Sequence, residues 1–339
     1  MRRELPALLT GLLAASCATD PLPLPPPPPV DWQSLERRPS SDTSTEKATE
    51  KERAAAELYA KALTTDFAQL AAMLDEDAHF SFGGKDTRGR DRVVRAHDEL
   101  FGAFDQRRFV LSRVLRTDRS QSLEWSFSGM HARTWMGTAP SQRPVGFKGV
   151  TLLWTNDDGS LSDVHVYFDP AIVKAQLGVG PSELQTLPLT PVSGGAPQVF
   201  EQAGVPEETA NVALVRAMLK ALEDNQESAF LSTLASDVEV FTLDRPEPVR
   251  GKDPMERLFK TMRKAIGDLD TVVQNAWGVQ QFAVVEYSIA GLQLARLGRI
   301  SFVPNRLFNA RLVDIAEMRN GKIARIWRYD DSGSLEPSK

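Results

Sequence analysis

Four histidines, one aspartate at a strand end and a set of aromatic residues are the groups in this chain whose types and spacing could do chemistry. His79, His97, His131 and His165 all fall in the first half of the 339 residues. Over residues 160–169, alternation places Asp163, His165, Tyr167 and Asp169 on one face. Val164, Val166 and Phe168 then occupy the other, because successive strand side chains point to opposite sides. The same rule puts His131 on the face of Trp125 and Phe127. A polar face crossed by aromatics suits a barrel lumen that holds a largely apolar ligand by a few polar groups. It also suits the solvated outside of a sheet. The lumen is the expectation, because Trp327 and Tyr329 occupy the matching positions of a second, repeated unit. Trp125, Phe127, His165, Tyr167, Trp327 and Tyr329 are then the ligand-binding residues. His97, on a helix and matched by Phe259, reads as a capping or packing group. His79 is out of phase with Phe80 and Phe82, so either face is open to it.

Other chemistries lack their signatures. The histidines show no His-Glu-x-x-His or paired spacing and the chain has one cysteine, so no metal site is expected. No Gly-rich nucleotide loop and no Gly-x-Ser-x-Gly elbow occurs, and no cofactor is expected. A net charge of −5 gives no basic footprint, which argues against nucleic acid as a partner. No apolar run approaches the roughly 20 residues needed to span a bilayer.

The elements that must position these groups occur twice. Residues 149–169, GVTLLWTNDDGSLSDVHVYFD, recur as residues 311–331, RLVDIAEMRNGKIARIWRYDD. Gly89-Arg90-Asp91 meets Gly251-Lys252-Asp253, Glu124 meets Glu286, Gly159 meets Gly321 and Tyr167 meets Tyr329, each 162 residues apart. A constant offset over separated landmarks is an internal duplication. Each copy reads as three helices followed by a run of antiparallel strands, with a short amphipathic tail at 170–178 closing the first. This is α+β, helices packed on one face of a curved sheet, twice in tandem. A cone of this kind has a wide mouth that makes a natural pocket. The expected organisation is a leader at 1–16, a Pro-rich tether at 17–50, a first domain at 51–178, a linker at 179–204, a second domain at 205–332 and a tail at 333–339. Each domain should be able to fold alone.

The N-terminus reads as an address. Arg2 and Arg3 precede a short apolar run at 5–15, and Ala14-Ala15-Ser16 lead into Cys17. This resembles a bacterial lipoprotein signal peptide, whose final cysteine becomes the acylated first residue. The family prefers Leu three residues before the cysteine, whereas Leu13 stands four before it. The sole cysteine has no intramolecular disulfide partner, and the segment that follows, DPLPLPPPPP, is a polyproline spacer. The resemblance implies export to the cell envelope and membrane lipid as a partner through acylated Cys17. Ala18 at the next position points to the outer membrane in a Gram-negative source.

The first unit resembles the SnoaL-like polyketide cyclases of the nuclear transport factor 2-like superfamily of cone-shaped α+β barrels. Gly89-Arg90, the stretch from Trp125 through Gly129-Met130-His131, Asp158-Gly159, Asp169 and Gln176-Leu177-Gly178 carry the likeness. The turn at Pro140-Ser141-Gln142-Arg143 lacks the family's Thr-Gly. The second unit keeps Gly251-Lys252, Gly321-Lys322-Ile323, Trp327 and Asp331 but has no Gln-Leu-Gly tail. The resemblance implies cofactor-free acid–base catalysis with Asp169 at the matched catalytic position and His131 as partner. A turn or cap role at a strand end stands beside that. Three functions stay open: binding of a small apolar ligand in the first barrel, acid–base catalysis by Asp169 and His131, and a structural lipoprotein whose sheets pack on each other or on a second copy. Cys17→Ala should release the protein from the membrane fraction or leave an uncleaved precursor. Wild-type fractionation and processing of that variant would refute the anchor.

Overall fold

The computed structural model describes residues 44–185, 187–190, 195–296 and 305–330. The leader, Cys17, most of the tether and the tail lie outside these residues. Five elements open the first unit: α1 (Ser44–Thr64), α2 (Ala68–Ala71), β1 (Leu74–Phe82), β2 (Lys85–Arg88) and α3 (Arg90–Phe101). They are followed by β3 (Phe104–Arg116), β4 (Ser120–His131), β5 (Pro144–Thr155), β6 (Leu161–Tyr167) and α4 (Pro170–Leu177). After β7 (Gln198–Glu201) the second unit repeats the plan as α5 (Pro206–Glu223), α6 (Glu227–Thr233), β8 (Leu234–Phe241), β9 (Val249–Arg250) and α7 (Lys252–Ala265). The strands β10 (Ile266–Val279), β11 (Phe282–Gln293), β12 (Arg306–Arg319) and β13 (Lys322–Asp330) complete it.

The first sheet runs β2-β1-β6-β5-β4-β3-β7 and the second β10-β11-β12-β13-β8-β9. Read backwards, the second repeats the first six strands of the first. β1 pairs parallel to β6 and β8 parallel to β13, while the meander strands pair antiparallel. Both units are therefore the expected α+β cones. Among the described residues no helix is long and apolar enough to cross a membrane.

Each sheet wraps its inner face around its own helices. In the first unit Phe80, Trp125, Phe127, Phe147 and Val164 pack on Tyr59 and Leu63 of α1 and on Val93 and Phe101 of α3. In the second, Val285, Tyr287, Leu312 and Ile326 pack on Met218 and Leu222 of α5 and Phe259 of α7. Gly149 faces Trp125 across the sheet, and a Cβ there would overlap the indole ring and crowd the Tyr167 carbonyl oxygen. Only glycine lets the tryptophan lie across that strand.

The outer faces meet each other. Leu115, Val150, Leu152 and Tyr167 of the first sheet form one apolar layer with Trp277, Val279, Phe282, Val284, Val313, Ile315 and Tyr329 of the second. Burying apolar area of this kind contributes roughly 25 cal/mol per Å². The two cones stand back to back.

Three expectations need correction. The helix of the first unit begins at Ser44, inside the segment read as tether, because STEKATEK is rich in good helix formers although it lacks an apolar stripe. The segment read as linker contributes β7, which pairs parallel with β3 and places Phe200 4.9 Å from the Phe282 ring. The offset of 162 residues also slips inside the sheet. Glu124 and Tyr167 both pair with Val150, whereas Glu286 and Tyr329 pair with Val313, 163 residues on. One extra residue enters between β11 and β12, and one is lost at the Asn320-Gly321 turn.

Candidate binding site between the two sheets

Each member of the expected acid–base pair has a local structural partner. Asp169 caps α4: its Oδ1 accepts the Ala171 backbone N–H at 2.9 Å, with Pro170 at the first helical position. His131 Nδ1 accepts the Ser141 backbone N–H at 3.2 Å and lies 3.0 Å from the Ser141 hydroxyl. It thereby holds the loop between β4 and β5. Burial keeps its pKa below the usual histidine value, partly offset by a backbone contact with Arg133.

Trp125 and Phe127 do face the interior of the first cone, but that interior is packed at their level. The rings of Phe101, Phe109, Phe147 and Phe168 lie 5.8, 4.8, 6.0 and 6.1 Å from Trp125. One polar chain threads the packing. Trp125 Nε1 donates to Thr151 Oγ1 at 3.0 Å, and Thr151 lies 3.5 Å from the Tyr59 hydroxyl. The Tyr59 hydroxyl lies 3.0 Å from His97 Nε2, and His97 Nδ1 donates to the Val93 carbonyl at 2.8 Å. With Nδ1 protonated by that last bond, Nε2 accepts from Tyr59 and every donor points one way. Burial raises the Tyr59 pKa and lowers that of His97 to about 4, so both are neutral. His97 thus packs, as expected, and also terminates this chain. Its spacing from Tyr59 carries no sequence signal.

His165, Tyr167, Trp327 and Tyr329 lie on the outer faces, against the other domain, and not in a lumen. The Tyr167 hydroxyl donates to Glu286 Oε1 at 2.6 Å, and His165 Nδ1 donates to the same oxygen at 2.7 Å. Asn275 Nδ2 donates to Glu286 Oε2. The duplicated half answers with Tyr329 donating to Glu124 Oε1 and Arg113 Nε to Glu124 Oε2. Arg113 sits 3.9 Å from the Trp327 ring centre and 4.9 Å from that of Phe282. Each tyrosine therefore reaches across to the glutamate of the other copy, under a pseudo-two-fold axis. Burial pushes the Glu286 carboxyl up, but the hydrogen bonds from His165, Tyr167 and Asn275 hold it below its ordinary value. Burial and the Glu124 carboxylate raise Tyr329 well above the usual phenol.

Beside this network the sheets diverge around a cavity of about 710 Å³. Apolar walls come from Ile172, Leu187, Leu189, Phe241 and Leu243, with Trp327 stacked on Phe241 at 5.4 Å. Arg113, Glu124, Lys148 and Arg245 supply the polar groups. One cavity inside the second cone holds about 10 Å³, beside a buried ion pair in which Arg328 donates to Asp314 at 2.7 and 2.6 Å and Tyr287 donates to it at 3.0 Å. That is room for one water at most. No sequence motif announced the intersheet cavity, because its walls come from both copies and from the segment joining them.

Two family models match the chain, a SnoaL-like polyketide cyclase over residues 53–177 and a SnoaL-like domain over residues 215–326. No curated protein matches. Among solved structures, the chain is similar to a SnoaL-like polyketide cyclase candidate from Jannaschia sp. CCS1, at 18% identity over 40% of this chain and 99% of that one, TM-score 0.35. It is similar to an epoxide hydrolase of the LEH-like type from M. tuberculosis, at 18% identity over 38% and 89%, TM-score 0.32. TsrD from Streptomyces laurentii matches at 21% identity over 38% and 92%, TM-score 0.33.

The buried His97 has a measurable consequence. In the fold it binds a proton only near pH 4, whereas the unfolded chain takes one up near 6.5. Stability contributed by the neutral imidazole is complete above about pH 6.5 and is lost as the pH falls toward 4, at up to about 1.4 kcal/mol per unit. His97→Gln keeps an acceptor for Tyr59 without titrating, so its urea stability should fall less between pH 7 and pH 5. Equal slopes for variant and wild type would contradict neutral burial.

Proposed function

We propose, from the premise that this chain is two SnoaL-like domains in tandem, that it is a membrane-anchored lipoprotein that binds a small, largely apolar molecule. The site is the cavity between the domains, which Trp125 and Phe147 of the first sheet also line. One observation carries this reading: a cavity of about 710 Å³ lies between the sheets. Ligand sites typically enclose roughly 300–1,000 Å³, mostly apolar, with a few placed polar groups. The aromatic stack of Trp327 on Phe241 offers a flat wall, and exposed Lys148 at the rim favours an acidic substituent on an apolar body.

Acylated Cys17 would hold the protein to membrane lipid on the exported side of the cell envelope, at the outer membrane in a Gram-negative source. Acid–base catalysis by Asp169 and His131 has less support, since Asp169 Oδ1 caps α4 and His131 Nδ1 holds the Ser141 loop.

The naphthalene dye 1-anilinonaphthalene-8-sulfonate, an apolar anion, is a suitable probe. It should bind the folded protein with one-to-one stoichiometry, and Trp327→Ala or Leu243→Glu should weaken it by about tenfold or more, about 1.4 kcal/mol. Unchanged binding in both variants, with folding intact, would refute the intersheet site.

A further inference from the structure

At the edge of the interface, β1 and β6 run parallel and bring together three side chains that the sequence keeps 84 and 86 residues apart. His79 pairs with Asp163 and Ser81 with His165, so His79, Asp163 and His165 share the outer face. His79 Nδ1 lies 3.2 Å from Asp163 Oδ1, and the two imidazole rings are 5.4 Å apart, edge to face. One ligand atom from each of the three residues lies within 4.8 Å of the others. The absence of a short-range histidine motif had argued against metal, and the fold supplies across strands what the sequence lacks along the chain.

The second ring nitrogen of each histidine is turned to a further carboxylate. His165 Nδ1 donates to Glu286 Oε1 at 2.7 Å, and His79 Nε2 lies 3.7 Å from Asp86 Oδ1. Asp86 is held in turn by Arg311 at 3.0 and 3.3 Å, and Arg311 reaches Ser81 at 2.6 Å. A proton fixed on His165 Nδ1 leaves a lone pair on Nε2, and that atom is buried with no hydrogen-bond partner. An unsatisfied buried nitrogen of this kind costs stability unless something occupies it. Trp154 closes the site with its ring 4.7 Å from His165.

We propose that His79 Nδ1, Asp163 Oδ1 and His165 Nε2 form a binding site for one divalent first-row transition ion of the zinc type. Two imidazoles and one carboxylate suit such an ion, and a fourth position is left for water or a ligand. Donors around zinc stand roughly 3.4 Å apart, so the 3.2 Å pair is already in place and the widest separation, within 4.8 Å, closes by up to roughly 1.4 Å. Glu286 and Asp86 orient the two rings, in the arrangement by which carboxylates fix the tautomer of metal-bound histidines. Glu286 comes from the second domain, so the ion also ties the two cones together and should raise the temperature of unfolding.

The test is a Zn²⁺ titration of the purified full chain after chelator treatment, read against a chromophoric competitor, with Co²⁺ absorption as a second measure. One equivalent should bind saturably and raise the unfolding temperature. His79→Gln and Asp163→Asn should each weaken binding by about 100-fold. Glu286→Gln, which touches no ion, should weaken it by about 10- to 100-fold. His79 lies at the interface rim with 17% of its side chain exposed, so His79→Gln should keep the fold, and wild-type circular dichroism will verify that. No saturable uptake by the wild type, or uptake and Co²⁺ spectrum unchanged in folded His79→Gln, would overturn the site.

Discussion

Two carboxylates buried between sheets are the constraint on which this structure depends. Glu124 and Glu286 are 5% and 2% exposed, and an ion so placed is costly unless partners satisfy it. Neither copy supplies enough partners by itself. Tyr329 comes to Glu124 and Tyr167 to Glu286, each from the opposite domain. Separation of the cones would strand both acids and expose Trp277, Phe282, Val284, Val313 and Ile315 to water. The duplication thus produced one object with a shared core, in which two copies of one surface became complementary to each other. Within each copy the remaining partner has diverged: Arg113 serves Glu124, whereas Asn275 serves Glu286, which also takes His165 from across the interface.

Much of this was legible in the residues. The repeated Gly-Arg-Asp and Gly-Lys-Asp helix starts and the Asp-Gly and Asn-Gly turns located the elements, because turn chemistry is a local property. Alternation also sorted His165 and Tyr167 from Val164 and Val166 correctly. It could not say which face was inside, since a half-polar aromatic face suits a lumen and an interface equally. The match of Tyr167 to Tyr329 showed that the two faces were equivalent, and equivalence is also what a pseudo-symmetric contact requires. Two compensating one-residue shifts stayed hidden because every landmark lay outside them. The constant offset aligns Thr151 with Val313, whereas the pairing sets Thr151 against Asp314, the anchor of Arg328. The Tyr59–His97 chain and the His79–Asp163–His165 group were illegible for one reason: parallel pairing and helix packing join residues far apart in sequence.

The same geometry relocates function. Cones of this kind are candidates for binding in their mouths, yet here aromatic rings crowd Trp125 in the first and an ion pair sits in the second. A cavity of about 710 Å³ lies between them, walled in part by α4, the joining segment and the loop after β8. A ligand there would touch both copies and depend on their mutual placement. Changes at the Tyr167–Glu286 pair would therefore be felt at the site without touching it, whereas Glu124 and Tyr329 line it directly.

Calorimetry of the intact chain tests the shared core most directly. If the reciprocal Tyr–Glu bonds and the apolar layer make one cooperative unit, heat should unfold both domains in a single transition whose calorimetric and van't Hoff enthalpies agree. Two resolved transitions in the wild-type chain, each the size of one domain, would contradict the account.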